Sequence, residues 1–297
     1  MRSTPMNVWI QALRPKTLMA SFAPILIGAA LAHADGQFHL LAVCAALLGA
    51  LAIQAGTNLT NDYMDFIKGA DTADRLGPIR VTQAGLINPK RVRSAAGIDF
   101  FIAIGIGAYL VWRGGTTIVI IGLISVLCGV LYTAGPYPLA YLGLGDLFVL
   151  IFFGPVAVAG TYYVQTLRFS TTAIWAGLAP GLLSVAILSV NNLRDVVGDA
   201  RVGKKTLAVR FGPTFARIEY GLCIAGATLI PLILIYRNGR HPLAFAAPLV
   251  FFIVAINPLT EILVKGAAGK SLNPLLGSTA RLLFIESALF SIGWVIF

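Results

Sequence analysis

The sequence predicts an all-α integral membrane protein with nine spanning helices, and three observations carry that prediction. Hydrophobic residues make up 58% of the 297-residue chain and charged residues only 11%, against about 25% charged in an ordinary soluble domain. The mean hydropathy is +0.84. The apolar residues also fall into stretches of the length, roughly 20 residues, that a helix needs to cross a bilayer.

Taken in order, the stretches lie at 17–34, 38–58, 95–112, 116–134, 146–166, 172–191, 216–236, 243–263 and 280–297. The first follows Arg14-Pro15-Lys16 and is expected to be a retained span rather than a cleaved leader. Pro24, Gly28, Pro155 and Pro180 fall inside spans, where membrane helices tolerate them because neighbouring groups satisfy the freed backbone. Between them the nine stretches use most of the chain, so residues 1–297 are expected to form one transmembrane domain.

A net charge of +10 raises the question of nucleic acid, but the basic residues are dispersed between apolar spans and follow a membrane rule instead. With the N-terminus placed inside, only Arg113, Arg168, Arg237 and Arg240 of the 22 Lys and Arg fall in outward segments. Positive residues concentrate on the cytoplasmic side, which predicts an inner (plasma) membrane protein with its N-terminus cytoplasmic and its C-terminus outside. No nucleic-acid partner is expected. Cys44, Cys128 and Cys223 fall inside spans without zinc or redox spacing and are expected to pack. His33, His39 and His241 fall in outward loops and are assigned no chemistry.

The acids are more telling. Of twelve, Asp62, Asp65, Asp71 and Asp74 follow the second span, and Asp195 and Asp199 follow the sixth. If the second helix continues past its apolar part, Asn58, Asp62 and Asp65 share one face, at spacings of four and three. Asn191, Asp195 and Asp199 share a face at spacings of four. Clustered carboxylates repel unless a cation sits among them. Oxygen ligands of this kind suit Mg²⁺, which takes one or two carboxylates, some water and substrate phosphate. Both segments also carry Lys and Arg, and Lys68, Arg80, Arg194 and Lys204, with Asn58 and Asn191, are expected to hold the remaining phosphate charge. Each segment follows an even-numbered span, four spans apart, which suggests a duplication of helices 1–4 in 5–8 with helix 9 left over. Gly203-Lys204-Lys205-Thr206 lacks the spacing of a nucleotide-binding P-loop. The uncharged segment from Tyr132 to Leu139 reads either as a tight turn or as a place where Tyr132 and Tyr137 face a prenyl chain or an allylic cation.

This pairing, Asn58…Asn61-Asp62…Asp65 with Asn191…Asp195…Asp199, resembles the two aspartate-rich motifs of the UbiA superfamily of intramembrane prenyltransferases. The resemblance extends over nearly the whole chain. It implies nine helices around a central cavity whose mouth binds Mg²⁺ and a polyprenyl diphosphate, with Asp62, Asp65, Asp195 and Asp199 as metal ligands and catalytic groups. Leu13-Arg14-Pro15-Lys16-Thr17, the run from Asn61 to Pro78, the run from Tyr132 to Leu139 and the run from Asn191 to Ala208 look most like the branch that prenylates 1,4-dihydroxy-2-naphthoate. That likeness implies transfer to the naphthoate with loss of CO₂ and diphosphate, giving demethylmenaquinone. Arg14 or Lys16 would meet the carboxylate of this small aromatic acceptor. A 4-hydroxybenzoate acceptor, phytyl transfer to the naphthoate, and a transporter are the competing readings. Position 69 is Gly where many superfamily members have a third aspartate, and Asp146 stands where Glu is expected.

Overall fold

The computed structural model describes residues 5–70 and 76–297, leaving aside the side chains of residues 5–7 and of Lys16. The described residues contain helices and turns and no strand. Eleven α-helices follow in order: α1 (Pro5–Leu13), α2 (Pro15–Ala34), α3 (Leu40–Ile67), α4 (Pro89–Gly114), α5 (Thr116–Leu131), α6 (Gly145–Ile151), α7 (Ala157–Thr166), α8 (Thr171–Arg201), α9 (Leu207–Arg237), α10 (Ala246–Leu259) and α11 (Leu272–Ile296). A π-helical turn, Phe152–Val156, joins α6 to α7 into one span. Eight of the nine expected spans are helices long and apolar enough to cross a bilayer, and the ninth is the shorter apolar α5.

Several helices outrun the apolar windows that predict them. α3 runs to Ile67 and α8 to Arg201, well past the last apolar run of each, because helical hydrogen bonds continue into polar surroundings where hydropathy no longer marks them. Local signals set the starts. Asn88 caps α4 by accepting from the Lys90 amide at 2.9 Å, with Pro89 in the first turn. Ser170 and Thr206 cap α8 and α9 in the same way. The amphipathic α1 is an element that the reading for spans did not contain. It is too short to cross a membrane, and Val8 and Ala12 bury against Leu59 of α3 and against Val81 and Ile87 of the following loop.

Exposure shows which faces meet lipid. In α4 the buried positions are Val92, Ala96, Phe100, Ala103 and Gly114, a stripe at helical spacing, while Phe101 and Trp112 point outward. α8 is the most enclosed span, with α9 and α11 packed against it. It also passes close to the π-helical turn. A Cβ on Gly154 would stand 2.6 Å from the Gly177 carbonyl oxygen, so glycine there is a packing requirement. The long cavity of the molecule is walled chiefly by α2 to α8, with α9, α10 and α11 supporting α8 and α2 from behind.

Candidate active site

The last turns of α3 and α8 carry the two acidic segments to the mouth of one cavity of about 1240 Å³. Asn58, Asp62, Asp65, Asn191, Asp195 and Asp199 all line it. Below the mouth the walls are apolar, formed by groups such as Ile53, Val126, Phe148, Phe152 and Ile187. α5 contributes a full face to this wall, from Ile118 to Gly129.

On α3, Asp62 and Asp65 are each 2% exposed. The Thr82 hydroxyl donates to Asp62 Oδ2 at 3.0 Å, and the Thr82 amide to the same oxygen at 3.3 Å. The Tyr141 hydroxyl donates to Asp65 Oδ1 at 3.0 Å. Asp65 Oδ2 faces two cations, Lys204 Nζ at 3.3 Å and Arg80 Nη2 at 3.5 Å. On α8, Arg194 grips Asp195 through Nε at 2.8 Å and Nη2 at 2.6 Å. The same guanidinium donates to Asn191 Oδ1 at 2.7 Å and to Asn273 Oδ1 at 3.0 Å. Asn273 in turn donates to the Leu76 carbonyl at 2.9 Å, so Arg194 also anchors the loop after the first motif. Gly77 in that loop leaves room for it, since a Cβ there would meet Arg194 Nη2 at 2.6 Å.

Lys204 joins the halves. Its Nζ is 3.3 Å from Asp65 of the first motif and 4.0 Å from Asp199 of the second. The loop from Leu139 to Gly145 holds it from the side, where the Lys205 amide donates to the Tyr141 carbonyl at 3.0 Å. Gly143 has φ +72 and passes so near the Lys205 carbonyl that no side chain fits.

The expected site residues thus separate. Arg14, Arg80, Tyr132, Arg194 and Lys204 line the cavity with the six groups above. Asn58 is there too, but its amide nitrogen is engaged by the Leu13 carbonyl at 2.9 Å and Thr17 Oγ1 at 3.0 Å. It pins the left-handed corner at Arg14 (φ 53) between α1 and α2. Lys68 lies beside the mouth, donating to the Thr133 carbonyl at 2.7 Å with its ammonium 4.5 Å over the Tyr141 ring. Tyr137 corrects the expectation: its residue is 75% exposed and outside the cavity, because the turn at Gly135 (φ +81) carries it away from Tyr132. The Lys16 side chain and Asp71 lie outside the described residues. Asp146 is buried in the first turn of α6.

Tyr141, Thr82 and Asn273 hold the acidic segments and were not found by motif reading, and Asn61, part of the first motif, was given no role of its own. Asn61 Oδ1 accepts from Thr133 Oγ1 at 2.7 Å. It adjoins Asp62 within the motif; the other three meet the acidic segments only through the fold. Burial lowers the Lys68 ammonium, which Asp65 opposes and Lys204 reinforces.

The donor set suits a hard divalent cation. It offers carboxylate and amide oxygens from two helices. Among the described residues no three His, Cys, Asp or Glu gather closely enough to hold a metal by themselves.

Fold and site together define an integral membrane protein with cations and carboxylates at the mouth of an apolar channel. The sequence profile of the UbiA prenyltransferase family matches residues 21–269, and the chain belongs to that family. It is 38% identical over 292 residues to 1,4-dihydroxy-2-naphthoate octaprenyltransferase of Escherichia coli (strain K12), covering 91% of this chain and 94% of that one. The enzyme of the same name from Mycobacterium tuberculosis (strain ATCC 25618 / H37Rv) is 36% identical over 281 residues, covering 93% of each chain. Among solved structures, a UbiA homolog from Archaeoglobus fulgidus bound to DMAPP and Mg²⁺ aligns with a TM-score of 0.65 at 16% identity, over 96% of this chain and 97% of that one.

Proposed function

We propose that the protein transfers the polyprenyl chain of a polyprenyl diphosphate to 1,4-dihydroxy-2-naphthoate, releasing CO₂ and diphosphate. The observation that carries this reading is the convergence of both acidic motifs on Lys204 at the mouth of an apolar cavity. The naphthoate as acceptor rests on the relatives at 36–38% identity.

In this reading Asp62, Asp65, Asp195 and Asp199 would hold Mg²⁺, and through it the diphosphate. Bound Mg²⁺ supplies positive charge to the leaving diphosphate. Arg80 and Lys204, already at the carboxylates, take the phosphate oxygens that the metal leaves over, and Lys68 adds positive potential from beside the mouth. The apolar walls exclude water, which would otherwise capture the allylic cation. Tyr132, which lines the cavity, presents its ring to that cation. The allylic C–O bond breaks with its electron pair going to diphosphate. The naphthoate ring donates a pair to the allylic carbon, and the pair of the lost C–CO₂ bond returns to the ring. Arg14 lines the cavity and meets the acceptor carboxylate. The motifs face the cytoplasm, and the chain is one domain built on a four-helix duplication.

The deciding experiment gives purified protein Mg²⁺, one polyprenyl diphosphate, and 1,4-dihydroxy-2-naphthoate together with 4-hydroxybenzoate. Product mass and CO₂ release are followed. A decarboxylated naphthoate product is expected. A benzoate product that keeps its carboxylate, with no naphthoate product, overturns the acceptor. Preference for phytyl over polyprenyl diphosphate overturns the donor.

A further inference from the structure

Lys204 sits between two carboxylates that come from the two motifs, at 3.3 Å from Asp65 and 4.0 Å from Asp199. A cation bridging the motifs would meet the same oxygens. Three features mark this ammonium as one that can leave. It is a lysine, a point charge on a flexible four-carbon stem, whereas the cation within the second motif, Arg194, is locked by bonds to Asp195, Asn191 and Asn273. Its root is fixed: the Lys204 amide donates to the Asp199 carbonyl at 2.9 Å, just after Gly203 at φ +74. The stem can therefore swing while the loop stays. A landing surface is also built in, since Lys204 Nζ is 5.0 Å from the centre of the Tyr141 ring, whose hydroxyl holds Asp65.

The same ring carries Lys68 at 4.5 Å. Two ammonium groups on one ring repel each other, and the carboxylates of Asp65 and Asp199 are what hold the second in place. A diphosphate arriving at the mouth offers that ammonium more negative charge than the carboxylates do.

We infer that Lys204 is an exchangeable counter-ion: it bridges Asp65 and Asp199 until a diphosphate draws it away and leaves those carboxylates to the metal. This rests on the reading that these carboxylates take a metal with a diphosphate. Its consequence is an order of loading. The divalent ion binds poorly by itself, because it must first displace Lys204, and binds well together with the diphosphate, which removes the competitor. The two ligands are coupled through one side chain.

The test measures Mn²⁺ binding to the full-length protein in detergent, with no diphosphate present, by the electron paramagnetic resonance signal of free Mn²⁺. Lys204→Gln should bind Mn²⁺ about tenfold more tightly than the unaltered protein, a coupling within the usual range for linked sites. Lys204→Arg, which keeps the charge, should gain much less. Adding Asp65→Asn to Lys204→Gln should abolish the gain. If the glutamine variant does not purify as a folded, monodisperse protein, Lys204→Met gives the same comparison. In parallel, Mg²⁺ with geranyl thiolodiphosphate, which does not ionise readily, is titrated calorimetrically into the unaltered protein. Binding there with no gain in Mn²⁺ affinity in the lysine variants overturns the counter-ion role and leaves the metal-diphosphate reading standing. No binding there overturns that reading itself.

Discussion

Replacing Asp65 and Asp199 separately by Asn should cost turnover alike and stability unequally. Asn keeps the shape of Asp and removes its charge. At position 65 the carbonyl oxygen of Asn still accepts from Tyr141, so the 3.0 Å bond survives. What disappears is the charge facing Arg80 and Lys204, whose side chains are only 10% and 15% exposed. Breaking a buried ion pair typically costs about 3–5 kcal/mol. Because the cavity mouth gives these cations some access to water, the lower end, about 3 kcal/mol, applies. At roughly 2 °C per kcal/mol for a chain of this size, Tm should fall by about 6 °C. Asp199 is 15% exposed and its lysine stands 4.0 Å away. A lysine at that distance makes no close pair, so the loss of stability there should be smaller than at Asp65.

Turnover should follow the metal and diphosphate rather than the fold. Removing one preorganised group that acts on developing charge costs about 10²–10³ in rate, and both variants should lose that much. The assay pairs product formation from polyprenyl diphosphate and the naphthoate with thermal unfolding in detergent. Near-normal rates in both variants would refute the site assignment. Equal falls in Tm would refute the account of how each charge is held.

Gly160 lines the far part of the cavity, where a Cβ would stand 3.9 Å from Ile121. Gly160→Leu should cut turnover of an octaprenyl donor about tenfold more than that of dimethylallyl diphosphate; equal loss with both donors refutes a tail path past α7. Burial holds Lys68 below its ordinary pKa of 10.5. A lysine depressed in the fold penalises the folded state while both states carry the charge, and the penalty is relieved as pH rises from the lowered value towards 10.5. Lys68→Met should therefore flatten the alkaline side of the Tm-against-pH curve, and an unchanged curve counts against it. A cysteine placed at the exposed Ala200, with Cys44, Cys128 and Cys223 replaced, should react with impermeant thiol reagents only from the cytoplasmic side. Labelling from the opposite side refutes the topology. Ala73, the matching position after the first motif, lies outside the described residues.

How legible the molecule was depends on how far apart the interacting residues lie in the chain. Spans are local. Each is a contiguous apolar run, and all nine could be located within a few residues of their centres. The motif faces are also local, since Asn58, Asp62 and Asp65 need only a continuing helix to share a side. Helix ends were less legible, because α3 and α8 carry their acids on polar turns that hydropathy does not score. α1 escaped because a nine-residue amphipathic helix is too short for a search tuned to bilayer thickness. Tyr137 was misplaced because the sequence of a turn does not reveal which side of it points inward; the left-handed Gly135 decides that.

The pairing of Asp65 with Lys204, 139 residues apart, has no local signature at all. The charges themselves explain why the fold must make it. Asp62 and Asp65 are almost wholly buried, and neighbouring buried carboxylates raise each other's energy unless cations stand close. Arg80 answers from the loop after the first motif, Lys204 from the loop after the second, and Arg194 balances Asp195 within the second motif itself. Neither motif could be buried this deeply with no cation beside it, and Arg80 and Arg194 supply one to each motif even where position 204 is neutral. The mixture of acids and bases in each segment, which in the sequence looks like an ordinary solvated loop, is what a site needs if it must hold its carboxylates before a metal arrives. A chain with the same aspartates and a neutral residue at position 204 should fold and keep its motifs. It would, however, bind a divalent ion that it does not need until the diphosphate comes.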